Sequence, residues 1–144
     1  MKVYTGSIRI KTTAKTCEVN ITGQVEALVK LSGISEGMAL IFTGHTTAGI
    51  HLNNADKNLE SDFHEMLSEL IPNKPTYKHN KGDYGRNADA HLKSVVIGTS
   101  ATVPLTKGRL AFGQWQSLYF SEFDGPRARL ISVKVMGKAE AKEK

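Results

Sequence analysis

The sequence has a single cysteine, Cys17, in 144 residues. No internal disulfide can form, which fits a reducing, cytoplasmic setting and leaves the apolar core to hold the fold. No apolar run approaches the roughly 20 residues that a membrane span needs. The opening Met1-Lys2-Val3-Tyr4-Thr5 lacks the apolar stretch of a signal peptide. His-Glu-x-x-His, Cys-x-x-Cys and the phosphate-cradling glycine loops of Walker or dinucleotide type are all missing. Ser100, Thr46 and Thr47 lack the context of a hydrolase nucleophile elbow. Cys17 alternates with Val19 and is expected to face the core, which removes it as a nucleophile. There is no internal repeat and no linker.

What is present is an ordinary globular composition, 40% hydrophobic and 23% charged, at the usual size of one domain. The formal net charge is +5. It is spread rather than gathered on one face, so solubility accounts for it and nucleic-acid binding is disfavoured. Residues 1–137 read as one domain. The segment Lys138 to Lys144 reads as a frayed charged tail.

Alternation at Ser7 to Lys11 and at Cys17, Val19 and Ile21 predicts two strands in an opening hairpin. Thr22 is placed to cap a first helix whose stripe is Val25, Leu28 and Val29, with Gly33 ending it in the left-handed conformation. The run Met38 to Phe42 predicts a central strand covered on both faces. A second helix is expected over Lys57 to Leu70, with Leu59, Phe63, Met66, Leu67 and Leu70 as its buried stripe. A polar loop, Asn73 to Arg86, leads to a short third helix carrying Leu92, Val95 and Val96 and closed by Gly98. The last third reads as strands: Thr102 to Leu105, Arg109 to Phe112, Gln114 to Phe120 and Arg129 to Met136. Strands at both ends around helical segments give an α+β class: a two-layer sandwich with a mainly antiparallel or mixed sheet and about three helices.

Five histidines carry most of the chemical possibilities. His45 follows the most apolar strand, in Gly44-His45-Thr46-Thr47-Ala48-Gly49, where sheet proteins commonly place ligand-binding groups. His79 lies in the long loop and His91 at the start of the third helix. Each could bind a metal, shuttle protons or hold phosphate, and each could equally be a solvated residue. His64 is expected to point outward from its helix, and His51 to lie on the exposed face of a strand. Trp115 is either a core aromatic or a pocket wall with Gln116 as a polar handle. In the turn Glu122-Phe123-Asp124-Gly125-Pro126-Arg127, Arg127 could grip a carboxylate or phosphate, or pair with Glu122 or Asp124 to fix the turn.

Taken in order, these stretches resemble the YjbQ-like family, often labelled secondary thiamine-phosphate synthase. The resemblance rests on His45 to Ile50, Tyr77 and His79, Asn87 to Lys93, and Gly98-Thr99-Ser100. It continues through Val103-Pro104, Gly108-Arg109-Leu110, Gly113 to Gln116 and Glu122 to Arg127. It implies an α+β sandwich that assembles as a homotrimer. It also implies that His45, His79 and His91 gather a divalent metal, zinc, in a pocket near a subunit boundary. A weak activity joining a pyrimidine diphosphate to a thiazole phosphate has been attributed to some members. One departure is that Asn53-Asn54-Ala55-Asp56 is a residue shorter than the usual Asn-Glu-Asn segment and lacks its glutamate, for which Asp56 or Glu60 could substitute. Gln114 stands where threonine is usual.

The leading expectation is therefore a metal-dependent enzyme, a transferase of thiamine-phosphate synthase type, acting on a small phosphorylated molecule. Glu122, Arg127 and Asp89 are the candidate catalytic groups. Thr46, Thr47, Asn87, Lys93, Trp115 and Gln116 are the candidate substrate contacts. Asn87 and Asp89 would also orient the imidazoles, and Arg127, Lys93 and Arg109 would neutralise phosphate. The alternative is a non-catalytic trimeric module whose histidines hold a metal or ligand at a subunit interface. An RNA-associated protein is the third.

Overall fold

A computed structural model of the chain describes residues 1–141. The order of elements is β1 (Lys2–Lys11), β2 (Cys17–Asn20), α1 (Thr22–Ser32), β3 (Ile34–Phe42), β4 (Ala48–Asn54), α2 (Lys57–Leu70), a 3-10 turn (Lys78–Lys81), α3 (Ala88–Ile97), β5 (Ser100–Thr106), β6 (Arg109–Leu110), β7 (Gln116–Glu122) and β8 (Ala128–Ala139). Among the described residues, three α-helices and eight strands give the expected α+β class. The strands form two antiparallel sheets, one of five in the order β1-β8-β3-β5-β6 and one of three in the order β2-β7-β4.

The two sheets and α1 enclose one core. Ile8, Ile41, Val103 and Ile131 come from the large sheet, Ile50, Leu118 and Phe120 from the small one, and Val25 and Val29 from α1. Ile41 and Ile131 are fully buried. Truncating either to alanine is expected to cost about 2–5 kcal/mol, from lost burial plus the cavity left behind.

Several expectations shift. β1 and β2 are not a hairpin: β1 pairs with β8 in the large sheet, and β2 pairs with β7 in the small one. β1 pairs with β8 along all ten of its residues and β2 with β7 along all four of its own, so each strand's ladder is taken up by the far end of the chain. Thr22 lies inside α1 rather than capping it. Its backbone N–H donates to Asn20 Oδ1 and its hydroxyl accepts from Leu118 N. Gly33 ends the helix at φ 67°, as expected. The strand β7 starts at Gln116 and runs on to Glu122. β8 continues through Ala139, pairing Lys138 with Glu36 and Ala139 with Ile34, so the expected tail is shorter. Its last residues, 142–144, lie outside the described ones.

β3 is central but covered on one face only. Ala39 and Ile41 point into the core, whereas Met38, Leu40 and Phe42 are exposed on the other face beside Leu130 and Val3. α2 has the expected bounds, and Asp56 accepts from Asn58 N at its start. Of its stripe only Leu67 is buried, with Leu59 and Phe63 half-buried and Met66 and Leu70 exposed.

α3 is inverted relative to the apolar pattern. It buries Ala90, Asp89, Lys93 and Ser94, and it leaves Leu92, Val95 and Val96 outside, Val95 at 80% exposure. Its inward face is pinned by Ser94 Oγ donating to Ala48 O at 2.6 Å. At its end Ile50 N donates to Gly98 O at 3.0 Å. The approach is so close that a Cβ on Gly49 would lie 2.8 Å from Ile97 Cγ2, which only glycine avoids. Among the described residues no helix is long and apolar enough to cross a membrane.

Candidate functional site

One end of both sheets carries the polar block. There the β3–β4 loop (residues 43–47) and the β7–β8 turn (residues 123–127) meet the 73–87 loop and the start of α3. Its floor is a buried ion pair. Glu122 is fully buried, and Arg129 Nε donates to its Oε2 at 2.7 Å while Arg129 NH2 donates to Oε1. Arg129 also donates to Thr47 Oγ1 at 2.8 Å. Thr12 Oγ1 donates to Glu122 Oε2 at 2.8 Å, and Asp124 N donates to Oε1 at 2.9 Å. Burial alone would raise the Glu122 pKa. The hydrogen bonds from Arg129, Asp124 N and Thr12 outweigh it and hold the carboxyl below its ordinary value. A carboxylate so ionised, buried and saturated has no proton to give a substrate. Glu122 is a frame for the turn rather than a catalytic acid, and Thr47 is part of the same frame.

From this floor a chain of hydrogen bonds leads outward. Arg127 grips Asp124, its Nε donating to Asp124 O at 2.8 Å and its NH2 to Oδ2 at 3.0 Å. Asn87 Nδ2 donates to the same Oδ2 at 2.8 Å, and Asn87 Oδ1 lies 2.8 Å from His79 Nε2. The carboxylate has no proton, so the amide nitrogen must face it and the amide oxygen must face the imidazole. His79 therefore carries its proton on Nε2, and its Nδ1 keeps a free lone pair. The His79 and His91 rings meet edge to face, with centroids 4.8 Å apart.

The loop that carries His79 is fixed by Asn80, which is buried. Asn80 Oδ1 accepts from Ala88 N at 3.0 Å at the start of α3, and its Nδ2 donates to Asn73 Oδ1 and Lys74 O. A lone asparagine among polar neighbours gave no sign of that role in the sequence.

His45 sits opposite. It shares a cavity of about 430 Å³ with His91, Phe42, Thr46, Ser94 and Val95. It also lines a second cavity, of about 350 Å³, with Arg9, Lys11 and Arg129. Leu130 N donates to His45 Nε2 at 3.0 Å. Partial burial, and then the Arg129 and Arg127 charges, hold its pKa below the ordinary value against the opposing pull of Glu122, so the ring is neutral at pH 7.

The expected site residues divide accordingly. His79, His91, Asn87 and Arg127 belong to one connected group, and His45 and Thr46 face the cavity that His91 shares. Asp89 and Lys93 do not line it. They are buried and paired with each other at 3.2 Å, so Lys93 is not free to neutralise a phosphate. Arg109 lies on β6 at a separate cavity of about 620 Å³. Trp115 is 70% exposed, neither core nor pocket wall in this chain. Gln116 pairs with Asn54, and Glu122 pairs with Ala48. Six residue steps put Gln116 and Trp115 about 20 Å along the strand from the histidine end. Asp56 caps α2 and Glu60 accepts from Tyr119 OH at 3.0 Å, so neither reaches the site in place of the missing glutamate.

Among the described residues no group of three or more His, Cys, Asp or Glu side chains is arranged to hold a metal ion. Among the described residues no protein hydrogen bond meets His79 Nδ1 or either nitrogen of His91, so each ring has one nitrogen that could face a metal. The His45 Nε2 lone pair is taken by Leu130 N–H. His79 and His91 are thus the imidazoles left open, and His45 is not.

A second histidine cluster was missed. Glu18, buried on β2, sits between His64 Nε2 at 2.9 Å and His51 Nε2 at 3.4 Å. Ser121 Oγ lies 3.1 Å from His51 Nδ1. His51 stacks between Phe63 and Tyr119, and His64 meets Phe63 and Phe123 edge-on. His51 is thus not on an exposed face, and His64 does not point outward. α2, which carries His64 and Phe63, lies over this face of the small sheet and covers His51. Desolvation, only partly opposed by Glu18, holds the His51 pKa below its ordinary value.

The sequence profile described as "UPF0047 protein YjbQ-like" matches residues 6–138. A UPF0047 protein of Methanothermobacter thermautotrophicus is 40% identical over 138 residues, covering 96% of this chain and 95% of that protein. UPF0047 protein YugU of Bacillus subtilis is 42% identical, covering 91% of this chain and 98% of its own length. A crystal structure of a YbjQ-like protein of unknown function from Sulfolobus solfataricus P2 superposes with TM-score 0.91 at 38% identity, over 95% of this chain and 99% of that one. Matched along nearly its whole length in sequence and in fold, the chain belongs to the UPF0047 family of YjbQ-like proteins.

Proposed function

We propose that the chain is a metal-dependent enzyme acting on a small phosphorylated molecule, at the pocket lined by His45 and His91 with His79 beside His91. The observation that carries this reading is the contact of His79 with His91, with the His79 tautomer fixed through Asn87 and Asp124. Metal-binding histidines characteristically have the second ring nitrogen bonded in this way. His79 Nδ1 and His91 would hold the ion, zinc by the family resemblance. Two imidazoles leave coordination positions for water and substrate oxygens, and a bound divalent ion supplies Lewis-acid polarisation of a phosphoryl oxygen. Arg127 keeps its guanidinium half-exposed beside this group while Asp124 orients it, which suits a phosphate oxygen.

A homotrimer fits the same surface. Phe42 and Val95 line the His45–His91 cavity, and exposed Leu40, Met38, Leu130, Val96 and Leu92 extend the apolar area on either side. Such a band is what a subunit interface covers. Burial of this band against a second subunit would put the pocket at the boundary between them.

The test is metal analysis of the purified full chain with its mass in solution, followed by turnover assays on phosphorylated substrates. The first reaction to try joins a pyrimidine diphosphate to a thiazole phosphate. Activity is expected to fall at least about 100-fold in His79→Ala and His91→Ala and on chelation. Full turnover by the chelated, metal-free protein would sink the proposal.

A further inference from the structure

We infer that His45, Arg9 and Lys11 form the phosphate seat of the pocket, with His45 donating its Nδ1–H to a phosphate oxygen instead of binding the metal. The substrate class rests on the reading above; the assignment of His45 rests on geometry. A neutral imidazole has one proton. Leu130 N–H occupies the lone pair of Nε2, so the proton is on Nδ1. A nitrogen that carries a proton cannot coordinate a metal. Ligation by His45 would require the ring to turn and leave the Leu130 donor unpaired. Among the described residues no protein acceptor meets the Nδ1–H, and His45 itself lines the cavity that holds Arg9, Lys11 and Arg129.

The charges in that cavity differ in availability. Arg129 is buried and neutralised by Glu122. Arg9 and Lys11 are exposed, and neither has an ion-pair partner among the described residues. They are two residues apart on β1, so their side chains leave the same face, about 7 Å from one another. Arg9 pairs with Leu130, the residue whose N–H holds His45, so strand register brings the cations to the imidazole. Two unpaired cations beside one fixed N–H donor match the charge and acceptor oxygens of a phosphate monoester. His79 and His91, across His45, would then hold the metal at the other end of the same substrate.

The test uses the full chain and three measurements. The first is the ring-nitrogen NMR spectrum of His45, expected to show the Nδ1-protonated form both without and with zinc. The second is titration with inorganic phosphate alone. The affinity is expected to fall about tenfold in His45→Gln, and as much or more in the double variant Arg9→Gln/Lys11→Gln, because each change removes a charge-assisted contact. The control Lys134→Gln, on the same sheet, is expected to leave it unchanged. The third is zinc binding, expected to be retained in His45→Gln and lost in His79→Ala.

Loss of zinc from His45→Gln as complete as from His79→Ala would overturn the inference. So would an Nε2-protonated ring, or phosphate affinity that ignores the Arg9, Lys11 and His45 substitutions. If the wild-type protein binds no zinc, the metal reading of the pocket fails, and the tautomer and phosphate measurements still decide the seat.

Discussion

Two groups of histidines built from the same atoms do opposite things in this fold. His51 and His64 are closed over a buried carboxylate, Glu18, and walled by Phe63, Tyr119 and Phe123. His45 and His91 line an open cavity and exposed His79 lies against His91, with His45 and His79 oriented by neutral partners, a backbone N–H and an asparagine oxygen. The first group is closed to solvent, with His64 hydrogen-bonded to Glu18, His51 to Ser121, and Glu18 Oε2 left without a hydrogen-bond partner. The second keeps a lone pair on His79 and an N–H on His45 turned to whatever enters. The lesson is that a histidine's function here follows from what occupies its second nitrogen, not from its exposure alone.

The comparison breaks first at the frame. Arg129→Met strands Glu122 as a buried, uncompensated carboxylate beneath the open group, and is expected to cost about 3–5 kcal/mol in urea unfolding. Glu18→Ala leaves His64 Nε2 without its partner and removes the carboxylate beside His51, and is expected to cost about 1–3 kcal/mol, with zinc and phosphate binding intact. His79→Ala should do the reverse, removing zinc while changing stability by less than about 0.5 kcal/mol. Asn87→Ala frees the His79 ring, and zinc affinity measured by competition with a chelator is expected to drop at least about tenfold.

The pH dependence is subtler. The folded His51 pKa lies below its ordinary 6.5, so the unfolded chain takes up a proton that the folded one refuses. That stability is complete above pH 6.5 and is lost as the pH falls through the folded value. The melting temperature is therefore expected to fall between about pH 7 and 5, and His51→Phe to flatten that slope. His45 adds a smaller slope of the same sign, since its ring is less buried.

Much of the scaffold could be read from local signals. The bounds of α2, the left-handed Gly33 and the α+β class follow from periodicity and caps that tertiary packing does not override. Pairing was not legible, because alternation identifies a strand but not its partner. That is why β1 and β2 looked like a hairpin. α3 was misread because its three apolar residues suggested a core stripe. Ser94 and Gly49 instead anchor the opposite face, and the Asp89–Lys93 pair makes that face neutral enough to bury. His45, His79 and His91 were picked out by resemblance and local context. The roles of Asn80, Asp124, Arg9 and Glu18 depend on contacts between residues distant in the chain, where no local pattern points.

The position of β8 has a consequence for how the chain acquires its shape. Of the described strands it comes last in chain order, yet it lies between β1 and β3 and pairs with both. Until it leaves the ribosome, the first strand of the large sheet has no neighbour and β3 has only β5. Those N-terminal segments must wait as exposed edges, open to pairing with other nascent chains. Such late, long-range closure is slow compared with the helices between, which can form locally. The large sheet is thus assembled around its last-made strand.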